Sequence, residues 1–450
     1  MIADEKYIFK PETKRKLFIL GAVGILLFAV GVFMAMSDGG HAAKGEHAAT
    51  ELSKNLVATS DHAAAAEGHK SEASEHHETP TWLKRIYTSL WHNNTFFAGI
   101  GIIGLFFITI QYAAQAGWSA PIKRIPLAMG HWIPFAGILM LVLFFIVKGD
   151  VFHWTHHDLY TAGDKYDKVL VAKSPYFFWP LGAGGFPLFF IFRMVAFFGL
   201  WYMFFTWIKK EMLAEDIDGS TAHWYTSRKL SAIFLVIFGY SSSIAAWDWV
   251  MSIDAHWFST MMGWYVFASW WVTGLATITL IVAGLKSAGY LRMVTPNHLH
   301  DLGKFVFAFS VFWTYIWFSQ FMLIYYANIP EETVYFIQRL KNNPYSWIFY
   351  TNLIFNFVLP FLLLMTRDAK RHMSMLKVVC PIVITGHWFD FYNMITPGVM
   401  KGHGGIGLLE IGLGLIFMAA FLYVVLNALS KIQLVAKHHP FMEESMNHHI

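Results

Sequence analysis

The sequence predicts an all-α polytopic membrane protein, and its composition and long apolar runs are the observations that favour this class. Hydrophobic residues make up 56% of the 450 residues and charged residues only 14%. A soluble domain carries about 25% charged residues. Several apolar runs also reach the 18 or more residues that indicate a membrane-spanning helix.

We predict ten transmembrane helices, at about residues 17–36, 95–113, 127–147, 186–208, 230–251, 260–284, 302–327, 346–365, 376–395 and 405–428. The first run has no small-residue cleavage site, so we interpret it as a retained helix rather than a signal peptide. An even number of helices places both termini on one side. Lys and Arg residues of the termini and short loops are concentrated on that side, which predicts that both termini are cytoplasmic.

This pattern divides the chain into five segments. They are 1–36, the cytoplasmic N-terminus and first helix; 37–94, an outer loop rich in His, Ala and Glu; 95–251, helices 2–5; 252–395, helices 6–9; and 396–450, helix 10 and the cytoplasmic tail. Residues 37–80 show no apolar periodicity, so we expect them to be mobile. Their histidines recur at no fixed spacing, which favours a solvated loop over a specific metal site.

The stretch Ser243–Tyr265 places two carboxylates at a membrane boundary. Asp248 lies close to the end of the fifth helix, and Asp254 lies in the turn that follows among four tryptophans. A carboxylate at the edge of hydrocarbon is costly to keep charged, so it is a functional candidate. The alternative is an interfacial turn with an aromatic belt, in which Asp254 caps the next helix.

Further ionisable residues fall at a similar depth near the outer ends of other helices. Arg193 lies early in the fourth helix, Asp390 late in the ninth and Glu410 early in the tenth. His387 precedes Asp390 by three residues, a spacing that shares one helix face. An isolated charge at this depth would be unfavourable, so we expect these residues and Asp248 to converge in one hydrogen-bonded cluster with Arg193 as the counter-charge.

A second polar set lies on the inner side, in the motif HLHDLGK. Asp301 is placed to cap the seventh helix and to pair with Lys304, and His300 is its neighbour. Hydroxyl groups of the fifth and seventh helices lie between the two sets, which suggests a proton path. The alternative is that these hydroxyls bond to carbonyls of their own or neighbouring helices.

The sequence excludes several redox and catalytic centres. The chain has a single cysteine, Cys380, so it forms no internal disulfide and holds no iron–sulfur cluster by itself. The absence of a CxxCH motif excludes covalent c-type haem, and no helix carries a pair of histidines suited to b haem. We therefore predict no metal site, no catalytic residues and no cofactor bound by this chain alone.

Five stretches carry a resemblance to a known family. They are YAAQAGWS (112–119), AAWDWVMSIDAHWFSTMMGWYVFAS (245–269), HDLGKFVFAFSVFWTYIWFSQFMLIYYANIPEE (300–332), GHWFDFYNMITPG (386–398) and HHPFMEES (438–445). In these stretches the chain resembles the ActF subunits of bacterial alternative complex III, which are NrfD/PsrC-like integral membrane proteins. The resemblance extends over nearly all ten predicted helices and the His-rich loop.

The resemblance implies a subunit of a quinol-oxidising complex in the bacterial inner membrane. Such a complex passes electrons through iron–sulfur clusters and c haems, which belong to partner subunits, to a periplasmic acceptor or a terminal oxidase. The implied partners are a sister NrfD-like membrane subunit, an iron–sulfur subunit and haem c subunits. By analogy with the family, helices 2–5 and 6–9 should form two four-helix bundles, with helices 1 and 10 at their flanks.

The role that the resemblance implies for this chain is a scaffold and a proton conduit. Motifs associated with the quinol site of the sister subunit, GHAGT and an HMGRPW-like stretch, are absent from the sequence. The outer proton-handling groups would be Asp248, His387, Asp390 and Glu410, and Asp301 with Lys304 would be the inner access point. Two alternatives remain open: a quinone-binding catalytic subunit, and a stand-alone proton-coupled secondary transporter.

Overall fold

The computed structural model describes residues 5–57, 79–341 and 344–449, and this part of the chain is helical without a β-strand. Ten long helices dominate it: α1 Pro11–Val57, α2 Thr81–Ala113, α3 Arg124–Val151, α4 Leu188–Asp218, α5 Thr221–Trp249, α6 Met261–Ser287, α7 Pro296–Ala327, α8 Ser346–Leu363, α9 Met373–Met400 and α10 Leu408–Leu429. Short helices at Lys168–Phe178 and Pro330–Leu340 follow α3 and α7.

Each predicted transmembrane helix coincides with one of these long helices. Among the described residues, nine helices are long and apolar enough to cross a membrane. The exception is α9, because Lys377, His387 and Asp390 lower its mean hydropathy. The chain is therefore an all-α polytopic membrane protein, as the composition predicts.

The boundaries of the first two helices differ from the prediction. α1 continues to Val57 instead of ending at residue 36, since Ala, Glu and Lys, which are common here, are strong helix formers. α2 begins at Thr81 instead of residue 95, and its polar first half is largely buried against other helices. The segment 58–78, for which we predict a mobile loop, lies outside the described residues.

The long helices form two four-helix bundles, which confirms the predicted arrangement. In the first bundle α2 packs on α3 and α5, and α4 closes the ring by packing on the same two helices. In the second bundle α6 packs on α7 and α9, and α8 closes the ring. α2 also packs against α6, α9 and α10, so it joins the bundles, while α1 lies along α10.

Glycine allows α2 and α6 to approach closely at the junction of the bundles. A Cβ atom at Gly99 would overlap the Trp270 ring, and one at Gly274 would overlap Ile103. The Trp270 indole donates a hydrogen bond of 3.2 Å to the Thr95 carbonyl. Small residues allow close helix contacts in a membrane, where the hydrophobic effect gives no preference for helix over lipid.

Both ends of the chain lie at the same end of the helices, which we call the terminal face; the other end is the opposite face. The Leu434 amide donates a 2.9 Å hydrogen bond to the Glu5 carbonyl. The C-terminal tail then crosses the terminal face and contacts both bundles. Lys123 donates to Nε2 of His439 over 2.8 Å in the first bundle, and Nε2 of His448 lies 2.6 Å from Asp301 in the second.

The contact between α1 and α10 predicts a strong effect of Gly412→Leu. A Cβ atom at Gly24 would lie 2.9 Å from the Gly412 carbonyl, and one at Gly412 would overlap the Phe28 backbone. A leucine there must push the helices apart, which should cost about 1–3 kcal/mol. Thermal unfolding in detergent measures the loss. Gly199→Leu is the control, because nothing lies within 4 Å of its Cβ position; equal unfolding midpoints for the two variants would contradict the prediction.

Docking of the tail should become more stable as the pH rises from 7 to 9. Burial lowers the pKa of Lys123 from 10.5 to about 7; Glu215 opposes this shift and Arg124 reinforces it. Burial and the two cations lower the pKa of His439 to about 2, so this ring is a neutral acceptor. Between pH 7 and 10.5 the protein with its tail released and Lys123 exposed therefore binds more protons than the protein with its tail docked, and docking gains stability on the order of 1–2 kcal/mol.

The rate at which a protease releases the tail measures this dependence. We expect slower release at pH 9 than at pH 7 in the wild-type protein, and no such difference in Lys123→Met, which carries no titrating group. The exposed Lys431→Met is the matched control and should keep the wild-type pH dependence. A pH dependence that survives in Lys123→Met would show that another group causes it.

Candidate functional site

Arg193 and Asp248 form a buried ion pair inside the first bundle. Nε and Nη2 of Arg193 donate to the two carboxylate oxygens over 2.7 and 2.8 Å. Nη1 donates to the Tyr176 carbonyl over 2.8 Å, and the guanidinium lies over the rings of Tyr176 and Phe189. α4 and α5 are consecutive antiparallel helices, so an early residue of one meets a late residue of the other. The predicted pairing is confirmed.

Glu410 has a different counter-charge from the one expected. Nη2 of Arg85 lies 2.8 and 2.9 Å from the two carboxylate oxygens, and its Nε lies 3.0 Å from Oε1. Glu410 also accepts the Gly407 amide over 2.8 Å at the start of α10. Arg85 lies in the segment assigned to a loop, where the buried start of α2 was missed. The first residues of α2 are polar and its apolar run begins only later, so the sequence did not predict that Arg85 lies in a helix.

Asp254 binds Arg339 instead of capping the next helix. Nη2 of Arg339 lies 3.0 Å from Oδ2 of Asp254, and the same arginine donates to the carbonyls of Asn393 and Met394 over 2.8 and 3.0 Å. The alternative in which Asp254 caps the next helix is wrong, because α6 begins several residues later with Thr260 at its N-cap position. The opposite face of the second bundle is therefore closed by an ion pair.

Asp390 occupies the centre of the second bundle without an arginine or lysine partner. Its Oδ1 accepts hydrogen bonds from the Tyr265 hydroxyl and from Nδ2 of Asn352, the latter over 2.8 Å. Its Oδ2 accepts from the Trp313 indole over 2.9 Å. These uncharged donors come from α6, α8 and α7, and Asp390 is 0% exposed. The carboxyl group is therefore held by dipoles alone.

His387 lies one turn below Asp390, as its spacing predicts. Its Nδ1 is 2.9 Å from the Ser269 hydroxyl and 3.8 Å from Oδ2 of Asp390. Its Nε2 is buried and has no hydrogen-bond partner among the described residues. The edge of the ring meets Trp313, with centroids 5.3 Å apart. Buried polar atoms without protein partners are places where water or a ligand binds.

The predicted single cluster is wrong, because the charged residues divide among separate sites. Arg193 neutralises Asp248 in the first bundle, whereas Asp390 and His387 lie in the second bundle. Glu410 lies at the start of α10, outside both bundles. Position in the sequence indicates depth along a helix, but it does not indicate which neighbouring helix a side chain faces.

The inner residues form a network with the C-terminal tail. Lys304 lies 2.5 Å from Oδ1 of Asp301, which confirms the predicted pair, and His448 binds the other oxygen. Asp301 does not cap α7, because that cap is a box formed by Thr295 and His298 at the true start of the helix. His300 is buried beside Asp301, and its Nδ1 has no partner in the described part of the chain.

Three hydroxyls between the two levels bond to carbonyls of their own helices, as the structural alternative expects, and Ser241 is one of them. Thr314 donates to the Ser310 carbonyl and Ser243 to the Gly239 carbonyl. The sequence analysis did not include two further hydroxyls on one face of α6. Thr273 donates to the Ser269 carbonyl, and Thr277, one turn later, donates to the Thr273 carbonyl. The Ser310 hydroxyl has no partner among the described residues.

No group of three or more His, Cys, Asp or Glu side chains within residues 5–57, 79–341 and 344–449 is arranged to hold a metal ion. The side chains of the histidines in the predicted loop, His41, His47, His62, His69, His76 and His77, lie outside what the structure describes. No family model matches the chain, and no curated protein matches it either.

Breaking the pair in the first bundle should unfold the protein more easily. Arg193→Met leaves the Asp248 carboxylate buried without a counter-charge, which should cost about 3–5 kcal/mol. Adding Asp248→Asn removes that charge and should recover part of the lost free energy of unfolding. Chemical unfolding of the purified protein in detergent measures both changes.

The exposed pair Lys165–Asp158 is the control for this comparison. Its side chains are 61% and 41% exposed and 3.0 Å apart, so Asp158→Asn should change the free energy of unfolding by less than about 1 kcal/mol. A double variant no more stable than Arg193→Met alone would show that the stranded carboxylate is not the cause of the loss.

Proposed function

We propose that the chain is an integral membrane subunit of a quinol-oxidising respiratory complex of the alternative complex III type, where it serves as a scaffold and carries a proton through its second bundle. The observation that carries the proton role is the Asp390 site. A fully buried carboxyl group is held there by uncharged donors beside an imidazole with an unpaired nitrogen.

The two buried aspartates have different chemistry. The bidentate arginine at Asp248 stabilises the ionised carboxylate, so this pair holds α4 and α5 together. Asp390 instead has uncharged donors on both carboxyl oxygens and His387 beside it, with no arginine or lysine partner among the described residues. We therefore assign proton transfer to Asp390 and His387, and a structural role to Arg193 with Asp248 and to Arg85 with Glu410.

The identity of the complex rests on the sequence resemblance. The motif GHWFDFYNMITPG contains both His387 and Asp390, and 300–332 contains the indole donor Trp313. The proposed partners are the sister NrfD-like subunit, the iron–sulfur subunit, the haem c subunits and a terminal oxidase. Iron–sulfur clusters and c haems would belong to these partners, and a quinol would be the substrate of the complex. The proposed location is the bacterial inner membrane, with the terminal face in the cytoplasm.

The space beside Asp390 favours a proton site over a quinone site in this chain. The cavity next to it measures about 10 Å³ and is lined by Tyr265, Gln320 and Arg339 among others. That volume accommodates one water molecule, not a quinone ring. A quinol would therefore react elsewhere in the complex.

Purification from native membranes through a tag on this chain tests the assignment to a complex. Co-purification of subunits with c haem and iron–sulfur spectra is the expected result. A chain that purifies alone and drives solute flux in proteoliposomes would instead be a secondary transporter, and the proposal would be wrong.

Asp390→Asn should reduce proton release coupled to quinol oxidation by about 100-fold or more, the usual contribution of a proton-transfer group. The substitution keeps the size of the side chain, so the complex should still assemble. Proton release and quinol turnover of the purified complex in liposomes measure the effect. Asp248→Asn is the comparison: it should lower stability and yield, while assembled complex keeps its proton release. Full proton release in Asp390→Asn would leave this residue with a structural role only.

A further inference from the structure

We propose that the cavity beside Asp390 holds one ordered water molecule and that this water connects Asp390 to the opposite face. The inference rests on the proposed proton role of Asp390 and adds the direction from which its proton arrives. It assigns functions to Tyr265, Asn393 and the pair Asp254–Arg339.

The cavity has the size and the polar lining that a water molecule requires. It measures about 10 Å³ and is enclosed by Tyr265, Trp317, Gln320, Tyr335, Phe336, Arg339, Phe349, Asn393 and Met394. A buried water needs about 10–15 Å³ and two to four polar partners. Oδ1 of Asn393 is a buried acceptor without a partner in the described chain. This atom, the Tyr265 oxygen and the Arg339 guanidinium are the partners that a water would use.

The hydroxyl of Tyr265 links the cavity to Asp390. It donates its proton to Oδ1 of Asp390, and the Tyr265 side chain also lines the cavity. A proton passed from the water forms a new O–H bond at Tyr265 as the old one breaks and its proton moves to Asp390. The tyrosine is unchanged after the step, and the water regains a proton from the solvent side, so the net result is one proton moved from solvent to the carboxyl group. Release of the proton follows the same bonds in reverse.

On the side of the opposite face, Arg339 lines the cavity and forms an ion pair with Asp254. The Asp254 side chain is 22% exposed, whereas Arg339 is buried and lies over the ring of Tyr335. Tyr335 stacks on Trp257 with centroids 4.0 Å apart, which holds the short helix Pro330–Leu340 across the end of the bundle. Solvent protons would reach the cavity by way of the partly exposed Asp254 carboxylate rather than through an open pore, and the Arg339 guanidinium, which stays protonated, would hold that carboxylate in place.

Towards the terminal face, the buried polar groups nearest to Asp390 are Asn356, which lies beside Gly386 and donates to Asn352, and the Ser310 hydroxyl. Below His387, α9 presents Val383, Cys380 and Leu376, all fully buried, over about 16 Å of helix. The hydroxyls of Thr273 and of the following threonine on α6 are occupied by carbonyls of their own helix. The cavity lies on the opposite-face side of Asp390, between residues that follow it in α9 and the short helix Pro330–Leu340, which favours access of the proton from the opposite face.

X-ray hydroxyl-radical footprinting of the purified complex tests the water site, because radicals formed from bound water label the side chains beside it. Met394 lines the cavity and is 2% exposed, whereas Met129 is 0% exposed and packs elsewhere, in the first bundle. We expect oxidation of Met394 to exceed that of Met129 by roughly threefold or more if a water is present. Labelling of Met394 at the level of Met129 would overturn the proposal.

Two variants show whether the label comes from this cavity. Asn393→Leu fills the space and removes the unpaired acceptor, so Met394 labelling should fall to the level of Met129. Asn94→Leu is a matched change at a buried asparagine in the first bundle and should leave Met394 labelling unchanged. If Met394 labelling is unchanged in Asn393→Leu, the proposed water site is wrong. Water density in a high-resolution map of the wild-type complex gives the same answer if Asn393→Leu fails to assemble.

The footprinting result for the water site and the proton-release result for Asp390 can be told apart. Met394 labelling that disappears in Asn393→Leu supports the water site even if Asp390→Asn keeps full proton release. Loss of proton release in Asp390→Asn together with an unlabelled Met394 would retain the proton role and overturn access from the opposite face.

Discussion

The structure depends on the cost of placing charge inside a helix bundle in hydrocarbon. Three carboxylates near the opposite face are each bound by an arginine: Asp248 by Arg193, Glu410 by Arg85 and Asp254 by Arg339. Each pair joins two elements that are not continuous in sequence, so neutralising the charge also connects the fold. The carboxyl group of Asp390 is fully buried, as that of Asp248 is, but it has no arginine partner in the described part of the chain, and this difference is the basis of the proton role that we propose for it.

The packing of the bundles places that carboxyl group between donors from three helices. α6 is held against α2 by the contact of Gly99 with Trp270, and α6 carries both Tyr265 and Ser269 towards α9. The short helix Pro330–Leu340 closes the opposite end and positions Arg339 at the cavity. The same helix contacts therefore hold the fold together and position the residues of the proposed proton site, so a loss of helix packing would change both.

The sequence predicted some contacts of the site, and there are physical reasons why it did not predict the others. The depth of Asp248 and Arg193 and the spacing of His387 and Asp390 predicted two of the contacts correctly. The partners Arg85 and Arg339 were missed, because arginines in apparent loops look like ordinary surface charges. Tyr265, Trp313 and Asn352 were missed because a tyrosine, a tryptophan or an asparagine in an apolar run gives no signal of what it faces.

The sequence by itself determined the ten helices and the common side of the termini, because the length and the even number of the apolar runs govern these features, whereas the grouping in two bundles was implied by the resemblance to the family. Only the tertiary structure decided which charges meet. Side-chain direction around a helix axis depends on how neighbouring helices rotate and pack, and a rotation of one residue, about 100°, changes the partner. For this reason the expected single cluster became separate ion pairs, and Asp390 was left with uncharged donors in the second bundle.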